Sequence, residues 1–390
     1  MTLTKFNKSG QIEVTFNWVY ILIAGAIILL FFIGIVVKQK TVSEERLAID
    51  VVDLMDSIFT GASVSEKTKQ PLDTSGLADY TLFFDCSEGV GTFGIKDQAA
   101  SQENAIQPLF APHELQTSRL LLWSLPYHLP YKVIDFLFVT SINTKYILIG
   151  NTPFAEEFLE ATEPDQALKW LLNRELIQLQ DLNKIDPGNN FQVRLIDLNG
   201  LVNTLPVPEK LQFLDDDKVT MVAFLDDGKK VNYYQKEDNT WKWLNRKEGP
   251  IQIISLGGEK DAAKYAAIFS ADDKVYKCNM GKAFQRLEYL TEIYGGKDIY
   301  RGTPGGKLKE MIDYYTERPE EEAVGEPCLD YLQVLGPNLL SSLRMFQNQV
   351  QVCQSTYQSG SQCSGLVSTA EEIRQLNQNL GRRGDCLTLY

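Results

Sequence analysis

The sequence predicts an α/β protein: one transmembrane helix, then a mixed-sheet α/β ectodomain with a disulfide-clamped C-terminal helical subdomain. Three observations predict it. The first is a charge-free apolar run from Trp18 to Val37; as a helix it would be about 30 Å long, the thickness of a bilayer's hydrocarbon core. The second is the alternation of helix-like and strand-like segments after that run, with strands clustered mid-chain. The third is the placing of the six cysteines: Cys328, Cys353, Cys363 and Cys386 all fall among the helical segments near the end, while Cys86 and Cys278 lie in the α/β part.

The apolar run has the flanks of a membrane span. Trp18 and Tyr20 stand at one edge, where amphipathic rings favour the headgroup layer, and Lys38 and Lys40 close the other. Ile35-Val36-Val37-Lys38-Gln39-Lys40 offers no small-residue cleavage site, so the helix is expected to stay in the mature chain. Lys5 and Lys8 before the run nearly balance Lys38, Lys40 and Arg46 after it, so orientation is decided by the cysteines.

The segment ahead of the run is Lys8-Ser9-Gly10-Gln11-Ile12-Glu13. It resembles the class III signal of archaeal type IV pilin-like proteins. That resemblance implies a peptidase cut between Gly10 and Gln11, after which the apolar helix anchors the subunit or packs into a filament. Pilins usually carry a Glu five residues after the cut, where Thr15 stands here; Glu13 is at the third. The wider chain is similar to archaeal single-pass membrane proteins of unknown function that pair such a start with a Cys-containing α/β exterior.

Domain by domain, residues 1–17 form a short inner tail, 18–37 the span, and 38–76 a juxtamembrane amphipathic helix and linker. Leu47, Val51, Leu54, Met55 and Ile58 supply that helix's apolar face, opposite Glu44, Glu45, Asp50 and Asp53. Gly61 is expected to stop it, and Ser63 to Gly76 to link it onward.

Residues 77–300 are expected to form the α/β ectodomain. Strands are predicted at Asp79–Asp85, Ile106–Phe110, Val133–Thr140, Lys145–Ile149, Phe191–Leu198, Val219–Leu225, Val231–Gln235, Trp241–Leu244 and Ile251–Leu256. Those at 133–140 and 145–149 are read as neighbours joined by a short turn. Leu115–Trp123 reads as a helix. Asp165–Leu182 reads as a strong one, with Leu168, Leu172, Leu176 and Leu179 in register and Pro164 in its first turn. Tyr265–Phe269 fits helix or strand, and a long helix starts at Asp272. Residues 301–390 form the helical subdomain, with helices at Lys307–Glu317, Pro337–Val352 and Val367–Leu380. The echo Phe213-Leu214-Asp215-Asp216 and Phe224-Leu225-Asp226-Asp227 reads as two neighbouring strand ends.

None of the cysteines stands in a C-x-x-C pair, which removes the usual spacing of a zinc site or a thioredoxin-like centre. Clustered among polar, Gly- and Ser-containing segments, they suit disulfides in an oxidising compartment, against the alternative of buried free thiols in a reducing one. Six cysteines allow fifteen pairings. The pairing favoured is Cys86–Cys278, Cys328–Cys386 and Cys353–Cys363.

Motifs of catalysis are sparse. Gly89-Val90-Gly91-Thr92-Phe93-Gly94 matches G-x-G-x-x-G, but no helical stripe follows it, so a glycine-rich hairpin is expected in place of a dinucleotide site. Gly257-Gly258 would offer N–H groups to an anion, but Glu259 and Asp261 would repel it. The two histidines, His113 and His128, lie in no H-E-x-x-H, and there is no G-x-S-x-G elbow. Asp215-Asp216-Asp217 and Asp226-Asp227-Gly228 lack EF-hand spacing and read as solvated turns. Arg383-Gly384-Asp385 reads as a turn beside Cys386, and no N-glycosylation sequon follows the apolar run.

A net charge of −13 argues against a phosphate-backbone partner. No catalytic residue, metal ligand or cofactor is assigned. The expected location is the cell membrane, single-pass, with the large carboxy-terminal part extracytoplasmic; the expected partners are the lipid bilayer and envelope proteins. The expected role is non-catalytic: a component of a cell-surface or pilus-like assembly, or an envelope binding module. The alternative is a membrane-tethered hydrolase whose site the sequence does not locate.

Overall fold

A computed structural model describes residues 48–63, 69–98, 100–167, 169–258, 260–317, 325–357, 363–382 and 386–390. The Trp18–Val37 run, the Gly10–Gln11 junction and Arg383-Gly384-Asp385 lie outside the described residues. The expected fold class is corrected by what is described. The body is mixed α/β with three sheets rather than one, and among the described residues no helix is long and apolar enough to cross a membrane.

The first layer is a helix over 48–63, α1, on a small antiparallel sheet. That sheet has the order β4(Ser101–Asn104), β3(Val90–Ile95), β2(Leu82–Ser87), β6(Glu114–Leu115). Val52, Met55, Phe59 and Ala62 of α1 are buried against Phe84 and Phe93. The buried stripe is one residue on from the one expected: Leu54 is 61% exposed. Gly61 does not end the helix, and the expected linker holds a strand, β1(Lys69–Asp73). The G-x-G-x-x-G stretch is the β2–β3 hairpin, turned at Glu88 and Gly89 with φ of 52° and 83°.

The second layer is a sheet of order β1, β7(Arg119–His128), β8(Lys132–Ser141), β5(Leu109–Phe110). Where Leu115–Trp123 was expected to be helical, β7 is a ten-residue strand. Leu120 and Leu122 face the core under α1, while Leu121, Trp123, Leu125 and Tyr127 face the main core. A strand with an apolar core on each side reads as a near-continuous apolar run, here Leu120 to Trp123, so its period-2 signature is erased.

The third layer is a seven-stranded sheet of order β10(Asn173–Ile177), β9(Thr144–Ile149), β11(Gln192–Asp197), β12(Val219–Leu225), β13(Lys230–Glu237), β14(Thr240–Trp243), with β15(Ile251–Gln252) also on β13. β10, β9, β11 and β12 run parallel; β13, β14 and β15 pair antiparallel. β8 and β9 are consecutive but belong to different sheets, so the expected pairing does not form. The expected long helix at Asp165–Leu182 is also absent: α2(Pro153–Ala161) comes earlier, and the stretch holds a turn at Asp165–Trp170, β10 and a short 3-10 segment. Leu172 belongs to the main core and Leu182 to the core on the opposite face of the sheet, so tertiary packing overrides the helical spacing. Phe213–Asp216 lies in the loop before β12 with Phe213 86% exposed, and is no strand end.

Helices fill the main core: α3(Ala262–Phe269), α4(Asp273–Gly295), α5(Gly306–Glu317), α6(Gly325–Thr356) and α7(Ser364–Arg382). Asp272 caps α4, its carboxylate accepting from the Val275 N–H at 2.9 Å. One disulfide joins two layers, Cys86 of β2 to Cys278 of α4, and two clamp α6 to its neighbours, Cys328 to Cys386 and Cys353 to Cys363, with Cα atoms 5.8, 5.6 and 5.1 Å apart.

Candidate functional site

In the parallel part of the third sheet, Ile149, Asp197 and Ala223 stand in register near the carboxyl ends of β9, β11 and β12. From β9 the chain crosses outward through α2 to β10; from β10 it returns to the other side of β9 as β11. The strand order therefore reverses between β9 and β11. In an open α/β sheet the loops leaving such a point diverge and leave a crevice, the usual ligand position of such folds. Here the crevice is a cavity of about 690 Å³.

Each wall has a local cause. After β9, Gly150 turns with φ of 107°, and a Cβ there would come within 2.5 Å of the Asn199 amide, so glycine is required. Thr152 then caps α2, its hydroxyl oxygen accepting from the Ala155 N–H at 3.2 Å, with Pro153 in the first turn. After β11, the fully buried Asp197 carboxylate accepts from the N–H groups of Asn199, Gly200 and Val202 at 3.1, 3.0 and 2.7 Å. Burial pushes this carboxyl up, and the three N–H groups oppose that. Asp197 is thus a scaffold that fixes Leu198 and Asn199 at the rim.

After β12, Asp226, Asp227 and Gly228 turn with φ of 51°, 55° and 78°. Asp226 pairs with Lys230 at 2.6 Å. The last wall is α3, capped by the Asp261 carboxylate, which accepts from the Ala263 N–H at 3.1 Å. One turn on, the Lys264 ammonium stands 5.3 Å from the centre of the Phe154 ring. Phe154 in turn meets Phe224 edge-on at 5.8 Å. The crevice combines an aromatic floor with a rim carrying a hydroxyl, an amide, two carboxylates and one ammonium.

The residues singled out in the sequence are scattered. All six cysteines are in disulfides. His113 pairs with Asp272 at 3.1 Å in a separate cavity of about 500 Å³, which the Cys86–Cys278 bridge also lines. His128 lines a third cavity, of about 450 Å³, with Ser255 and Asp261. Gly257 donates its N–H to the Ser255 hydroxyl at 2.9 Å, and the following helix starts only at Ala262. Asp226-Asp227-Gly228, read as a turn, does form one, and it lies on the crevice. Among the described residues no group of three His, Cys, Asp or Glu side chains is placed to hold a metal ion.

Sequence reasoning did not single out Thr152, Phe154, Asn199 or Lys264. Asn151-Thr152-Pro153 after a strand is a cap signal that would have found the start of α2. Lys264 carries no local signal, because only the fold brings α3 beside the β12–β13 turn. No known protein family, curated protein or solved structure matches this chain.

Proposed function

We propose that this chain is a non-catalytic binding component of the cell envelope, held at a membrane through its amino-terminal segment, with its α/β body on the oxidising side. The observation that carries the reading is the pairing of all six cysteines in bridges that join β2 to α4 and clamp α6 to the segments around it. Such a set persists where thiols are oxidised and is rare where they are kept reduced. The crevice at the strand-order reversal is the binding site in this reading; its groups are suited to holding a polar ligand against an aromatic floor. Envelope proteins are the macromolecular partners, and the net charge of −13 disfavours nucleic acid.

The test is made in cells. Membranes are extracted with alkaline carbonate, and thiols are tagged with a mass-shifting maleimide before and after reduction. The chain is expected in the carbonate-resistant pellet, untagged until reduced and then carrying six tags. A chain found in the supernatant and tagged without reductant would overturn the proposal. Protease shaving of intact cells should degrade the body and leave an amino-terminal remnant.

A further inference from the structure

Lys264 and Asp227 line the same crevice with opposite charges. They do not pair with each other, and neither has an ion-pair partner among the described residues. The Lys264 ammonium lies over the face of Phe154 and against Gly228 of the β12–β13 turn. The neighbouring carboxylate, Asp226, is already engaged by Lys230. Leu198, Phe224 and Leu225 line the same crevice and make part of its wall apolar.

We propose that the crevice binds a small zwitterion with an apolar side chain, an amino acid or a short peptide with free ends. This rests on the reading of the crevice as a binding site. The ligand's carboxylate meets Lys264, its ammonium meets Asp227, and its side chain covers Phe154 and Phe224. A charge-assisted hydrogen bond at each end fixes orientation, while the apolar wall supplies burial. A simple anion would meet the Asp227 carboxylate, and a simple cation would meet Lys264; a molecule with both charges matches both groups. The volume of about 690 Å³ holds an amino acid with room for a second residue.

Calorimetric titration of the full chain tests this. The probes are phenylalanine and phenylalanyl-leucine, each also with the amine acetylated or the carboxylate amidated, and inorganic phosphate. The free zwitterions are expected to bind at least tenfold more tightly than either blocked form. Asp227→Asn should remove the discrimination against the acetylated form and leave that against the amide. Lys264→Met should do the reverse. Asn tolerates the left-handed backbone at position 227, so that variant keeps the turn. Unchanged melting of both variants without ligand checks the fold.

Equal binding of free and acetylated probes, tighter binding of phosphate, or no binding of any probe at millimolar concentration would each overturn the zwitterion. The first two would leave the crevice as a binding site. The cellular thiol and membrane measurements test the envelope reading independently of this titration.

Discussion

Arg194 donates from its guanidinium to the carbonyl oxygen of Ser270 at 2.7 Å, joining the centre of β11 to the end of α3. Further bonds run to the carbonyls of Ile268, Ala271 and Ala267 at 3.2, 3.2 and 3.4 Å, and the group lies 5.5 Å from the Tyr233 ring centre. One buried side chain thus satisfies the last turn of the helix that carries Lys264. Lysine has no planar fork and cannot make this set. Arg194→Lys is therefore expected to lower stability by about 2–4 kcal/mol, with carbonyls left unpaired. Urea unfolding of the two proteins measures it; a change under about 0.5 kcal/mol would contradict the capping role.

His113 and Asp272 tie the small sheet to the start of α4. The Asp272 hydrogen bond raises the His113 pKa, against partial desolvation of its half-exposed ring. Burial pushes the Asp272 carboxyl up, but His113 and the Val275 N–H hold it net below its ordinary value. A raised histidine contributes below its unfolded pKa of about 6.5, and the contribution is lost as pH rises through the folded value. A depressed carboxyl contributes above about pH 4 and is lost as pH falls through its folded value. The pair therefore stabilises most between about pH 4 and 6.5. The stability gap between the parent and His113→Gln should be widest there and close above neutrality. A gap that does not vary with pH would show that the pair is not titrating.

Cys86 and Cys278 are 192 residues apart in sequence, Cys353 and Cys363 only 10. In the chain-entropy account the longer loop restricts the unfolded chain more, by roughly 2–3 kcal/mol for this ratio. Replacing the first pair by alanine should cost that much more than replacing the second, read from denaturant midpoints. Equal losses would mean that native packing around each bridge outweighs loop closure.

Phe59 of α1 packs edge-on against Phe93 at 5.1 Å and near Phe84 at 6.3 Å. Phe59→Ala is expected to cost about 3–5 kcal/mol, and Leu54→Ser close to nothing. If both were silent in thermal melts, α1 would not belong to the folded body.

What was legible in the sequence depended on how many cores a segment serves. β12 was read to the residue, and α4 was found because its buried side is continuous from Tyr276 to Leu287. β7 failed because both its faces are buried, and 165–182 failed because its leucines serve opposite faces of one sheet. The crevice was half legible. Its aspartate turn stood out locally, whereas Lys264 and Phe154 became neighbours only through the pairing of strands distant in sequence.

The bridge from Cys86 to Cys278 also sets how the body would bear a mechanical load. Tension entering ahead of α1 and leaving through α5, α6 or α7 runs along the backbone to position 86, then through the sulfur atoms to 278. The intervening backbone, which supplies every wall of the crevice from Thr152 to Lys264, hangs off that line as a slack side loop. A partner or tether pulling on this molecule would stretch the amino-terminal layer and leave the pocket's shape undisturbed.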